Sequence, residues 1–247
     1  MSAPAEGLGI SARGLSRRFG AHTALADVDL EIPAGSSFAL LGANGAGKTT
    51  FLRIAAGLLL PSAGEIRVAG ISPAEDPVRV QRQIGYVMET SRLYPELRVR
   101  GLLRFLAAAR GLARAEREAA VEQALERFEL AAVATRPIGN LSRGYQQRVS
   151  LAQAFLHDPR LAIVDEPTAG LDPLQRHEVQ ERLHALRGER TLLLSTHDLG
   201  EARALADRVA VLREGRLVAE GPAQELLGRA DPLALFRAPV PGAGSAR

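Results

Sequence analysis

Cysteine is absent from the 247 residues. That excludes a disulfide-stapled scaffold, thiolate metal ligation and a cysteine nucleophile, and it suits a reducing compartment. Long apolar runs are missing as well. The most apolar stretch, residues 54–60, stops at Pro61, far short of the roughly 20 residues that a membrane-crossing helix needs. Any membrane role is therefore expected to come through a partner chain. The first ten residues, MSAPAEGLGI, have neither a basic nor an apolar segment, so no secretion signal is read there. Aromatics make up only 4%, and no block of basic residues stands out behind the net charge of +3. A nucleic-acid face combines clustered basic residues with stacking aromatics, so the charge is read as a solvated surface and nucleic acid is not expected as a partner. Lysine is rarest of all: of 31 Lys and Arg residues, only Lys48 is lysine. Arg is a planar fork, whereas Lys is a compact point charge on a flexible stem. A position that keeps Lys under such a bias is expected to need an ammonium.

What is present suits a globular α/β chain. Hydrophobic residues reach 46%, enough for a core, and the length fits one large domain or a core with a small appended subdomain. Runs at 38–41, 84–88, 161–164 and 191–195 are apolar on both faces, the pattern of central strands in a parallel sheet covered by helices. Segments 10–19, 28–32 and 65–68 read as antiparallel strands, and 208–212 with 217–220 as a hairpin turning at Glu214-Gly215. Between about 97 and 130 the period is helical, with Leu102, Leu103 and Leu106 on one face and Val121, Leu125 and Phe128 on another. The segment from Pro232, with Pro239, Pro241 and Gly242, reads as loose.

Two motifs carry chemistry. Gly42-Ala43-Asn44-Gly45-Ala46-Gly47-Lys48-Thr49 matches G-x-x-x-x-G-K-[ST], between a predicted strand and a helix predicted to start near Thr49, with Thr50 in its first turn. Glycines there let backbone amides converge on phosphates, and the helix N-terminus adds partial positive charge. Lys48 would reach the β- and γ-phosphates and the Thr49 hydroxyl would hold Mg²⁺. A Gly-rich helix entry without a ligand would have the same spacing, but not the retained lysine. Asp165 and Glu166 close the buried run 161–164. Acids at the end of a buried parallel strand are costly unless something needs them, and strand C-termini are where ligands sit in open α/β sheets. Asp165 would orient the metal and Glu166 would act as general base on water. The bland alternative is two acids capping the turn before Pro167.

Taken in order, this P-loop (Walker A), Leu141-Ser142-Arg143-Gly144-Tyr145, Asp165-Glu166-Pro167-Thr168, Leu171-Asp172 and His197-Asp198 resemble the ATPase subunits of ABC transporters from about residue 10 to 220. The resemblance implies a RecA-like P-loop core with an N-terminal antiparallel β subdomain (1–89 and 151–222), a helical signature subdomain (90–150) and a C-terminal tail (223–247). It implies an ATP hydrolase using ATP and Mg²⁺. Phe19 takes the place of the adenine-stacking aromatic, or is an edge-strand core residue. Leu141 to Tyr145 would form the signature that meets ATP held by a second subunit, with Ser142 also serving as a helix N-cap. Arg143 and Tyr145 depart from the commoner Gly and Gln. Glu89 replaces the usual Gln beside the metal, as in a subset of bacterial export-type ATPases; the alternative is a solvated strand end. Asp172 would be the D-loop acid facing the partner subunit, and His197 the switch histidine holding the γ-phosphate and water with Glu166. The implied partners are a transmembrane permease, docked near residues 89–97, and a second ATPase subunit. The implied place is the cytoplasmic face of the cell membrane, touched only through the permease. A soluble ATPase of the same type acting on a macromolecule is the rival. A GTPase is disfavoured because the guanine-reading Asn-Lys-x-Asp needs a second lysine, and Glu166 with His197 disfavours a regulatory module that binds without hydrolysing.

Overall fold

Buried, β-branched and leucine-rich runs form the middle of the molecule, as a parallel sheet demands. The computed structural model describes residues 8–89 and 93–237. In chain order, β1 (Ile10–Phe19) and β2 (His22–Ile32) form a hairpin, and β3 (Ser37–Leu41) leads to α1 (Lys48–Ala55). Next come β4 (Ala63–Val68), α2 (Pro77–Gln83) and β5 (Ile84–Val87). Helices α3 (Val99–Ala109), α4 (Arg114–Arg127) and α5 (Arg143–Phe155) follow, then β6 (Leu161–Asp165), α6 (Pro173–His184), β7 (Thr191–Thr196) and α7 (Leu199–Leu205). Strands β8 (Arg208–Arg213) and β9 (Arg216–Pro222) and helices α8 (Ala223–Leu227) and α9 (Ala234–Arg237) complete the order.

The central sheet runs β5-β6-β7-β3-β8-β9, parallel except for the β8–β9 hairpin. Every residue of β3, β6 and β7 is buried. The period of two divides β3 between two cores. Phe38 and Leu40 join the antiparallel sheet β2-β1-β4 and α1, while Ala39 and Leu41 join α3 to α7. A fully buried Leu or Phe contributes roughly 2 kcal/mol, so the two cores clamp the sheet from both sides.

Several expectations change. Strand β2 begins at His22, six residues before 28, because its exposed His22 and Thr23 pair with Phe19 and Arg18 across the hairpin turn. Leu102 and Leu103 are buried as their spacing demands, but Leu106 is only partly covered. Helix α5 runs to Phe155, as expected, and its Phe155 ring meets Phe128 at 5.5 Å between centroids. The segment from Pro232 is not wholly loose. Helix α9 buries Leu235 in the same core as Leu226 and Leu227 of α8; Pro239, Pro241 and Gly242 lie outside the described residues, as do the first seven residues. No helix among the described residues is long and apolar enough to cross a membrane.

Candidate functional site

Parallel register sets the chemistry. Leu41 of β3 pairs with Thr196 of β7, and Asp165 of β6 pairs with Ser195. The P-loop, both acids and the loop carrying His197 therefore leave the sheet at the same edge, its C-terminal one.

Residues 42–47 turn from β3 into α1, and no side chain caps that helix start. Its first amides are left for a ligand, reinforced by the helix dipole. Gly47 has φ 106° and a Cβ there would lie 2.5 Å from the Ala24 carbonyl, so only glycine fits. Lys48 is 5% exposed; its Nζ donates to the carbonyls of Gly42 (2.7 Å) and Ala43 (3.3 Å) and lies 3.0 Å from Glu166 Oε1. Glu166 Oε1 is otherwise a buried acceptor without a hydrogen bond, so the ammonium holds it by charge alone. Glu166 Oε2 meets His197 Nδ1 at 2.8 Å. A proton on Nδ1 donates to the carboxylate and leaves Nε2 as an acceptor. The His197 side chain is 56% exposed, so this chain of three groups runs from the buried ammonium to open solvent.

Glu166 is also strained, with φ 46°. A non-glycine residue in the left-handed region costs about 1–2 kcal/mol. Its amide donates to both the carbonyl (3.2 Å) and the Oγ (3.1 Å) of Ser195. The same Ser195 Oγ donates to Asp165 Oδ1 at 2.5 Å, and Thr49 Oγ1 donates to that oxygen at 3.2 Å. Sequence reasoning missed Ser195, taking it as a strand end; a hydroxyl closing an all-leucine run was the available signal.

A cavity of about 280 Å³ gathers the predicted Phe19, Ala43, Asn44, Gly45, Ala46, Gly47, Lys48, Thr49, Thr50, Glu89 and Glu166. His22, given no role from the sequence, also lines it, because the hairpin pairs His22 with Phe19. Phe19 is 46% exposed with the Arg17 guanidinium 4.5 Å from its ring centroid. It is therefore a presented ring rather than an edge-strand core residue. Thr49, which lines this cavity, is joined to the Asp165 carboxylate just behind it, and no group of three or more His, Cys, Asp or Glu capable of holding a metal exists among the described residues. That combination fits Mg²⁺, which uses one or two protein oxygens and completes its shell with water and substrate phosphate.

The signature residues are not at this cavity. Ser142 caps α5, its Oγ accepting from the Tyr145 amide at 3.4 Å. Leu141 is core, and Tyr145 is half-buried under the Arg148 guanidinium, 4.3 Å from its centroid. Asp172 caps α6 through the Gln175 amide (3.0 Å), and Arg143 Nη1 reaches the Gly170 carbonyl at 3.4 Å. The two sets of predicted residues thus occupy two separate places on one chain.

Behind them lies a buried carboxyl. Glu201 accepts from Thr168 Oγ1 (2.8 Å) and Thr196 Oγ1 (2.6 Å). Burial holds its pKa above the ordinary carboxylate value despite both hydroxyls.

Fold and cavity together define a nucleoside triphosphatase of the P-loop class. Comparison with known proteins narrows this. Residues 25–169 match the family model described as ABC transporter. The chain is 40% identical over 223 residues to the Nod factor export ATP-binding protein I of Rhizobium johnstonii, covering 88% of this chain and 70% of the relative. It is 39% identical over 224 residues to the daunorubicin resistance ATP-binding protein DrrA3 of Streptomyces coeruleorubidus, covering 88% and 69%. Among solved structures, an ATP-binding subunit of an ABC transporter aligns with TM-score 0.78 at 34% identity over 94% of this chain and 95% of that one. CbiO1 of Clostridium perfringens, part of the cbiONQ transporter complex, gives 0.82 at 27% identity over 91% and 92%. This chain belongs to the ABC transporter family, as an ATP-binding and ATP-hydrolysing subunit.

Proposed function

We propose that this ATPase powers export through a separate transmembrane permease, by closing head-to-tail with a second ATPase subunit around two molecules of Mg·ATP. The observation that carries the reading is the separation of the two half-sites. The P-loop cavity and the signature helix start lie apart on one chain, so a signature must come from another copy to complete each site. A dimeric ATP-binding cassette with ADP and Pi, 26% identical and aligned at TM-score 0.78 over 87% of this chain and 98% of that one, supports the same arrangement.

In this reading the amides of residues 43–50 and the Lys48 ammonium bind the phosphates. Phe19 stacks on adenine without reading its edge. Thr49 and Asp165 would hold magnesium, with Glu89 lining the same cavity as Thr49. Magnesium, when bound, neutralises charge on the phosphate oxygens. As phosphate draws the Lys48 ammonium away, Glu166 Oε1 is released to accept a proton from the attacking water. His197 steadies Glu166 through Oε2, and its exposed edge faces the γ-phosphate. Ser142 Oγ, Gly144 N–H and the start of α5, flanked by Leu141, Arg143 and Tyr145, meet the γ-phosphate of the second copy, with Asp172 at the seam between copies.

Export is favoured by Glu89 and by the names of the relatives, which are export and drug-resistance ATPases. The docking place for the permease is an apolar groove of about 860 Å³ that presents Leu58, Val78 and Met88 beside Arg110. Docking near residues 89–97 is proposed as well, since Tyr94 and Leu97 are exposed; 90–92 lie outside the described residues. Such a subunit works at the cytoplasmic face of the membrane. Sedimentation of Glu166→Gln with and without Mg·ATP tests the pairing: an ATP-dependent dimer is expected, and a monomer at all ATP concentrations sinks the reading. Co-purification with a membrane protein tests the permease; recovery with a soluble macromolecule instead would favour the rival ATPase.

A further inference from the structure

The signature glycine is already occupied. Gly144 is the second residue of α5, and its amide is one of those a helix start leaves without an intrahelical partner. It donates to the side-chain oxygen of Gln175 at 3.1 Å. Gln175 stands in the first turn of α6, its own amide capped by Asp172. Its side chain lies flat on the glycine: a Cβ at Gly144 would be 2.8 Å from Gln175 Cγ and 3.0 Å from Cβ and Cδ. Gly144 is buried, whereas Ser142 and Arg143 just before it are exposed. The donor expected to meet a phosphate from outside the chain is thus covered by a neutral oxygen from inside it.

We infer that Gln175 is a positioning residue that acts as a displaceable cover on the signature amide, and so sets how much ATP is needed to bring two copies together. The inference rests on the pairing proposed above. A carbonyl-type oxygen at a helix start imitates the geometry of a phosphate oxygen without its charge. An anionic acceptor is roughly twice as strong a partner, so phosphate arriving on a second copy displaces Gln175, and the exchange costs one neutral hydrogen bond. The uncovered Gln175 side chain then lies beside Asp172 and Gly170, the loop at the seam, which couples occupancy of the signature to the position of that loop. The second tie between these elements, Arg143 to the Gly170 carbonyl, is long at 3.4 Å and yields with it.

Two substitutions and two readouts decide the matter. Gln175→Ala uncovers the amide. Hydrogen exchange at the Gly144 N–H in the nucleotide-free monomer speeds up, and the ATP concentration for half-maximal pairing of a Glu166→Gln background falls roughly three- to tenfold, the range one neutral hydrogen bond carries. Gln175→Glu keeps the size and the acceptor but adds charge facing the incoming phosphate, so half-maximal pairing moves to at least about tenfold more ATP. In the hydrolysing protein the same opposed shifts fall on KM more than on kcat. An unchanged or raised ATP requirement in Gln175→Ala, or an unchanged one in Gln175→Glu, overturns the inference. Failure of the Glu166→Gln parent itself to pair would instead overturn the pairing proposal, while the exchange rate of Gly144 still reports whether Gln175 covers it.

Discussion

The P-loop cavity and the signature helix start are built on the same physics and end in different states. Both place amides at the N-terminus of a helix, where the dipole suits an anion. At the P-loop, the charged groups already have partners within the chain: Lys48 pairs with Glu166, Glu166 meets His197, and Asp165 accepts from the hydroxyls of Thr49 and Ser195. At the signature, exposed Ser142 and Arg143 face outward and the remaining amide is met by neutral Gln175. On the proposed reading, the first region holds the chemistry and the second holds the signal that a partner has arrived. Variants should therefore separate turnover from pairing.

The largest separation is expected from Glu166→Gln. Phosphate release falls by about 10²–10⁴-fold, yet ATP retention and ATP-driven pairing persist; loss of nucleotide binding in that variant would merge the two regions into one function. Phe19→Ala comes next. Removing a stacking ring costs about 1–3 kcal/mol, so half-saturating ATP rises roughly tenfold with kcat little changed, and Phe19→Tyr restores it. A kcat loss matching the KM rise would place Phe19 in the chemical step instead. Ser142→Ala strikes the other half. It removes the cap of α5 for about 1 kcal/mol, lowering the melting midpoint by about 2–4 °C, and weakens pairing while monomeric ATP binding is kept.

The smallest effect serves as a control outside both regions. His157 in the apolar groove is held at about 4 by burial, seconded by the Arg110 charge. Its Nε2 faces the Ile84 carbonyl at 3.0 Å and Arg110 at 3.1 Å, and its Nδ1 is buried without a hydrogen bond. The unfolded chain binds this proton near pH 6.5 and the folded chain only near 4, so stability is full above 6.5 and falls as pH drops through that window. His157→Gln flattens the slope by about 1 kcal/mol per pH unit in denaturant unfolding, without moving either ATP constant.

How much of this the sequence carried depends on the reach of each contact. The buried runs 161–164 and 191–195 were legible as central strands because both faces are covered, and the P-loop was legible because its parts are consecutive. Phe19, Glu89 and Glu166 were named singly; parallel register carries Glu89 and Glu166, and the antiparallel hairpin carries Phe19, to one cavity. Strand β2 was read too short because His22 and Thr23 are exposed at a hairpin end and show no apolar alternation. The packing of α9 was hidden for a different reason: Leu235 is one buried residue in a four-residue helix flanked by Pro232 and the segment beyond 237. Ser195 and Gln175 were missed because each acts across about thirty residues, on Asp165 and on Gly144, through a single hydrogen bond that no local pattern records.

The burial of Lys48 has a consequence for chemical control of the molecule. Acylation, methylation and isopeptide attachment all need an accessible ε-amine, and this chain has one such side chain, sealed at the floor of its own triphosphate seat. Enzymes that tag lysines therefore find no side-chain handle on its guanidinium-coated exterior, and a reagent that does reach the amine silences the motor in the same event.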